Sequence, residues 1–231
     1  MVLTIFGYCT AGLFLVLILF VVLVQNVLGN QHLLDRPLKL MCRLIPLCFG
    51  CRVQVLGVEN AQTGRACVFI ANHVNIFDPL VLYGYIPRFF RGVELEDHFS
   101  WPVWGTITRR MGNVPISHRN VRRAHESLEK AAVLLESGTS IAILPEGHRT
   151  RDGQLGEFMR GPFRLALSVH ADVVPVAMKG AFERKNVHSM RVRPGRMQLL
   201  VGPRIAAEDV STYTDRELLV AVRQSIEALL S

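Results

Sequence analysis

Two residues in the stretch NHVNIFDP, 72 to 79, could together handle a proton. His73 stands five positions before Asp78, and a proline follows the aspartate. Histidine changes charge near neutral pH, and a carboxylate on one ring nitrogen raises the basicity of the other. Such a pair could take a proton from a hydroxyl that attacks a carbonyl. No G-x-S-x-G is found, so the attacking hydroxyl can belong to a substrate rather than to a serine of the chain. Alone, the stretch has a plainer reading. ACVFIA is a buried strand, Asp78 is the N-cap of a helix with Pro79 at its first position, and His73 is a loop histidine. The readings are compatible, because a loop that ends at a helix start can fold His73 back towards Asp78.

Three further stretches carry chemistry-bearing residues. ILPEGHRT, 143 to 150, reads as a strand followed by a loop with Glu146, Gly147 and Arg149. Glycine allows close approach to the backbone, and arginine can bind a phosphate with two parallel hydrogen bonds. GNVPISHR, 112 to 119, delivers Arg119 at the end of a strand, where ligands bind in α/β folds. The plainer reading of both arginines is a solvated surface. ADVVPVAMKG, 171 to 180, is a strand containing Pro175, which implies an edge or a bulge. There is no G-x-G-x-x-G, Walker A or H-E-x-x-H. Cys48 and Cys51 form a C-x-x-C without a second pair, so no metal site is expected, and the five cysteines read as small apolar residues. Dispersed arginines alone give little reason to expect a nucleic-acid partner.

These residues need elements to hold them. Apolar runs predict strands at 53–58, 67–71, 114–117, 140–144, 173–177 and 197–201. A helix is expected over 120–137, with Val121, Ala124, Leu128, Ala131 and Leu135 on one face and Gly138 as its stop. Another is expected over 215–230, where Thr214 and Glu217 give a capping-box signature. Strands alternating with helices predict an α/β fold, a mixed sheet flanked by helices. No charged side chain occurs from Leu3 to Val24, and the first charge after the amino terminus is Asp35. A run of that length can cross a hydrocarbon core of about 30 Å, so an N-terminal membrane-anchoring helical segment is expected. The start lacks the basic residues of a signal peptide. Residues 33 to 51 mix basic and apolar side chains, and Pro37 and Pro46 argue against one regular helix there. The chain therefore divides into an anchor and interfacial segment, 1–51, and a catalytic domain, 52–231. The net charge is +7, with Arg36, Lys39, Arg43 and Arg52 following the anchor. That bias favours a domain on the cytoplasmic side and attraction to anionic lipid. Trp101 and Trp104 read equally well as core or as membrane-interface residues.

Taken in order, the four stretches resemble the glycerolipid acyltransferase superfamily, in its lysophosphatidate acyltransferase branch. The family's first motif, Asn-His, four residues and Asp, is matched by Asn72, His73 and Asp78. Its Gly-led strand ending in Arg is matched by Gly112 to Arg119, and its Phe-Pro-Glu-Gly-Thr-Arg-Ser by LPEGHRT. Its Val-Pro strand is matched by Val174 and Pro175, and its Phe-Lys-x-Gly-x-Phe segment by FMRGPF with Arg160 at the lysine. The resemblance covers about residues 50 to 205. It implies that His73 is the general base and Asp78 its orienting partner. It places Arg119 and Arg149 on the acceptor's phosphate and Glu146 and Gly147 at its glycerol part. Asn72, Asn75 and Arg160 join them as substrate-binding residues. It implies a thioester donor on coenzyme A or acyl carrier protein as co-substrate, a lysophosphatidate acceptor, and no further cofactor. The expected location is a membrane, the bacterial inner membrane with the catalytic domain facing the cytoplasm, and the oligomeric state stays open. Two other functions stay open as well: acylation of another lyso-lipid, such as a lyso-aminolipid, and lipid binding without catalysis. Asn75 stands where the family often has serine, and His148 where it has threonine. VELED replaces a basic pair, and Glu94, Glu96 and Asp97 would repel an anionic head group if they faced it.

Overall fold

A computed structural model describes residues 1–62 and 64–231. In chain order the helices and strands are α1 (Val2–Val27), α2 (Asp35–Cys48), β1 (Cys51–Leu56), β2 (Cys67–Ala71), α3 (Asp78–Tyr85), β3 (Phe90–Leu95), α4 (Trp104–Met111) and β4 (Val114–Ile116). Then come α5 (Val121–Glu136), β5 (Ser140–Ile143), α6 (Gly161–Ser168), β6 (Asp172–Lys179), α7 (Ala181–Arg184), β7 (Gly195–Val201), α8 (Ala207–Val210) and α9 (Asp215–Leu230). The strands form one sheet in the order β1-β7-β6-β2-β5-β3-β4. Among the described strands, only the β6–β7 pairing is antiparallel. The expected mixed sheet flanked by helices is what the chain forms.

The side-chain period of two along a strand divides the core into two layers. On β2, Cys67, Phe69 and Ala71 pack with α1, α2 and α3, whereas Val68 and Ile70 pack with α5, α6 and α9. β2 is buried at every position and lies between β5 and β6. This is why it reads as an unbroken apolar run rather than an alternating one. The capping box of α9 is present, with Thr214 and Glu217 bonding each other's backbone N–H groups.

The structure adds one strand, corrects two expectations and selects between the two settings expected for Pro175. β3 was not predicted: FRGVEL mixes charge with apolar residues, yet it is laid between β5 and β4. Residues 35 to 48 are one helix despite two prolines. Pro37 lies in the first turn, where no intrahelical N–H bond is needed, and Pro46 lies in the last. Asp78 does not cap α3; Phe77 holds that position without a side-chain bond. Pro175 is not on an edge, since β6 has a neighbour on each side. Its missing N–H falls where the pairing with β7 breaks. Between the Val176–Val201 pair and the Val173–Ile205 bridge, three steps along β6 face four along the other chain. That extra residue is a bulge, the other expected setting.

α1 is long and apolar enough to cross a membrane. One face packs on the domain through Ala11, Ile18 and Val22, while Phe6, Leu13, Val16 and Phe20 on its outside are exposed. Polar contacts tie it down: Thr4 Oγ1 donates to Val192 O at 3.2 Å, and Tyr8 Oη to Met190 O at 2.9 Å. Two cations of α2 turn inward. Lys39 Nζ donates to Ile86 O and Arg88 O at 2.7 and 2.8 Å, and Arg43 Nε to Gly84 O at 2.5 Å. They satisfy carbonyls left free at the end of α3. Cys42, Cys51 and Cys67 are buried in the packing, and burial pushes the Cys42 thiol up to about 12.

Candidate active site

The parallel strands β6, β2, β5, β3 and β4 lie side by side, so the loops after their C-terminal ends form one row. In an open α/β sheet that edge is where ligands bind. Along the row come the segment after Lys179, the loop of His73, the loop of Glu146, then Glu96 and Asp97, then His118 and Arg119.

His73 Nδ1 lies 2.8 Å from Asp78 Oδ2. The same oxygen accepts the Val74 N–H at 2.5 Å and the Asn75 N–H at 2.8 Å. The Asp78 side chain is 0% exposed and that of His73 16%. Asp78 therefore folds back over its own loop, and its carboxylate serves the histidine and two backbone amides. A proton on Nδ1 shared with the carboxylate leaves Nε2 as the basic nitrogen. Among the described residues nothing bonds Nε2.

Glu146 holds the loop from the other side. Its Oε1 accepts the His73 N–H at 2.6 Å and its Oε2 the Gly156 N–H at 2.8 Å. Burial raises the proton affinity of this carboxyl, and the two N–H donors act against that rise. Thr150 N donates to His73 O at 2.9 Å. Gly147 has φ +70°, and a Cβ there would strike the His118 ring and Met159. The positive φ favours glycine, and a side chain there would also push these two side-chain tips aside. The stretches around His73, Glu146 and His118 thus come together. His118 was not anticipated; burial and the neighbouring His148 lower its proton affinity, against Asp97.

Other anticipated residues are placed differently. Asn72 Nδ2 donates to Met178 O at 3.2 Å, and its Oδ1 accepts the Met178 N–H at 2.7 Å. Asn75 Nδ2 donates to Ala181 O and its Oδ1 accepts the Phe77 N–H, both at 2.8 Å. Both amides are buried and used by backbone. They brace the loop against β6 and α7. Arg160 Nη1 points at Asp215 of α9, 3.6 Å away, because the acidic start of that helix draws it. Arg149 is exposed on the Glu146 loop. Arg119, with a side chain 85% exposed, lies 3.5 Å from Asp97.

The acidic run is mostly consumed. Glu94 accepts from Trp104 Nε1 at 3.0 Å and from Asn113 Nδ2 at 2.6 Å, and Glu96 from Ser117 Oγ at 2.6 Å. Asp97 lies 3.5 Å from Arg119, and Glu96 lies 3.7 Å from Arg123. Trp104 lines an apolar cavity with Ile18, Leu38, Leu82, Phe90 and Leu144, whereas Trp101 is exposed against His98. The cavity also touches Pro79, next to Asp78. It therefore runs from beneath the histidine loop to α1 and α2. Among the described residues no His, Cys, Asp and Glu group could hold a metal ion.

Residues 52–179 match the acyltransferase family model. The chain belongs to the acyltransferase family. Within it, the chain is similar to the chloroplastic 1-acyl-sn-glycerol-3-phosphate acyltransferase BAT2 of Brassica napus. The two are 29% identical over 130 residues, 56% of this chain and 38% of the relative. The 1-acyl-sn-glycerol-3-phosphate acyltransferase of Limnanthes douglasii is 28% identical over 167 residues, 72% of this chain and 59% of the relative. The chain thus spans between 38% and 59% of the lengths of these two relatives. Its fold is shared with the 1-acyl-sn-glycerophosphate (LPA) acyltransferase PlsC from Thermotoga maritima. There the TM-score is 0.83 at 20% identity, over 98% of this chain and 92% of that one.

Proposed function

We propose that this acyltransferase moves a fatty acyl group from an acyl thioester to the free hydroxyl of 1-acylglycerol-3-phosphate, giving phosphatidate. The observation that carries the reading is the buried Asp78 carboxylate 2.8 Å from His73 Nδ1, with Nε2 left to act. In this mechanism Nε2 takes the hydroxyl proton as the oxygen attacks the thioester carbonyl. The tetrahedral intermediate then expels the thiolate, which recovers the proton from Nε2. Asp78 orients the ring and stabilises the imidazolium between the two steps. Glu146 keeps the His73 backbone in place.

The donor is coenzyme A or acyl carrier protein. The acyl chain occupies the apolar cavity beside Pro79 and Leu144. Arg119 and Arg149 hold the acceptor's phosphate, with Asp97 released from Arg119 as the phosphate enters. α1, with its exposed apolar face, brings the site to a membrane, and the catalytic domain sits on the cytoplasmic side. The substrate names of the relatives support the acceptor.

The test is acyl transfer by the purified full chain with a panel of lyso-lipids and both donor types. The expected outcome is turnover of 1-acylglycerol-3-phosphate well above acceptors that lack a phosphate monoester. Preference for a lyso-aminolipid would move the acceptor assignment, and no transfer to any lipid would remove the catalytic reading.

A further inference from the structure

Lys185 follows α7 and carries a side chain that the four motif stretches do not account for. The residue is 4% exposed. Its Nζ donates to Asn186 O at 2.6 Å, a neutral acceptor on the next residue. Among the described residues no carboxylate forms an ion pair with it. A buried ammonium with two donors spare and no counter-charge is costly. Burial depresses its proton affinity, and the Arg149 guanidinium adds to that. Arg149 likewise has no carboxylate partner among the described residues.

The fold instead holds the Lys185 segment against both loops of the site. Ala181 O accepts the Asn75 amide, which joins the segment to the His73 loop. Phe182 packs on Gly153, and His188 Nε2 lies 2.9 Å from Arg151 O, which joins it to the Glu146 loop. We infer that Lys185 is a phosphate-binding residue, which with Arg149 clasps a phosphate group beside the His73 loop. The group comes either from a phosphorylated lyso-lipid acceptor or from the coenzyme A part of a donor. Arginine supplies a planar fork and lysine a compact point charge, a combination suited to a dianionic phosphate. Only the kinetic part of this inference rests on the proposed acyl transfer.

The test compares the full-length protein in detergent with Lys185→Met and Lys185→Arg. Inorganic phosphate should raise the melting temperature of the wild type and of Lys185→Arg, and leave Lys185→Met unmoved. Without phosphate, Lys185→Met should melt no lower than the wild type, since it removes an uncompensated charge. This arm decides the inference even for a protein that transfers no acyl group. In turnover, Lys185→Met should raise one KM by about tenfold, the loss of one charge-assisted contact, with kcat little changed. A rise for the acceptor alone identifies the acceptor's phosphate. A rise for acyl-coenzyme A, but not for an acyl thioester without phosphates, identifies the donor's. An equal phosphate response in wild type and Lys185→Met, with both KM values unchanged, overturns the inference, as does a lowered melting temperature with the phosphate response intact.

Discussion

Asp78 makes three contacts through one oxygen, and that economy explains how a helix-start aspartate can also hold the His73 ring. Its bonds to the Val74 and Asn75 amides curl the loop until the His73 ring meets the carboxylate. The grouping of His73, Asp78, Glu146 and Gly147 was legible because loops after parallel strands gather at one edge. Asn72 and Asn75 stood next to them in sequence and were expected to share their facing. Their amides turn the other way, since buried backbone groups of Met178, Ala181 and Phe77 need partners. Two substitutions separate these roles. Arg119→Ala should raise KM for a phosphorylated acceptor by roughly tenfold or more with kcat little changed, since its guanidinium is exposed and weakly paired. An unchanged KM would take Arg119 out of the phosphate site. Asn72→Ala strands a buried N–H and a buried C=O of Met178, so it should cost stability by about 1–3 kcal/mol. Chemical denaturation reads this directly, and a variant as stable as the wild type would show that the brace is dispensable. Lys185 could not have been found by reading the chain. It sits in FERKNVHS, a run that looks like solvated surface, and only the fold turns it inward.

Elements with a strong period and clear ends were the legible ones. α5 and α9 follow from their apolar stripes, and α9 keeps the capping box that Thr214 and Glu217 announced. β3 escaped because the charges of Arg91 and Glu94 are satisfied within the fold. Arg91 donates to Gln31 and stacks on Phe89, and Glu94 takes Trp104 and Asn113. Tertiary partners override the local pattern there. α2 shows a related effect: Lys39 and Arg43 read as juxtamembrane cations, yet both bond the end of α3. Lys39→Met should therefore destabilise the domain by about 1–3 kcal/mol, because it leaves buried carbonyls at the end of α3 without their donor. Thermal unfolding checks this, and no loss of stability would return Lys39 to a surface role.

At the scale of the whole molecule, α1 belongs to two environments. Ile18 lines the same cavity as Leu144, at the end of the strand before Glu146, while Phe6, Leu13, Val16 and Phe20 face outward. A sequence can show that such a helix is apolar on all sides, but not which side the domain claims. Deleting residues 1 to 28 should release the protein from lipid vesicles and also open the cavity wall at Ile18. Unaltered partitioning in a sedimentation assay would assign membrane binding to the rest of the chain. The proposed function turns on one proton transfer, and the most direct test is the rate of acyl transfer by purified His73→Ala beside the wild type. The structure-based mechanism predicts a fall in kcat of roughly 10²–10⁴-fold, the usual worth of a general base, with folding and membrane association intact. Full turnover by His73→Ala would contradict it.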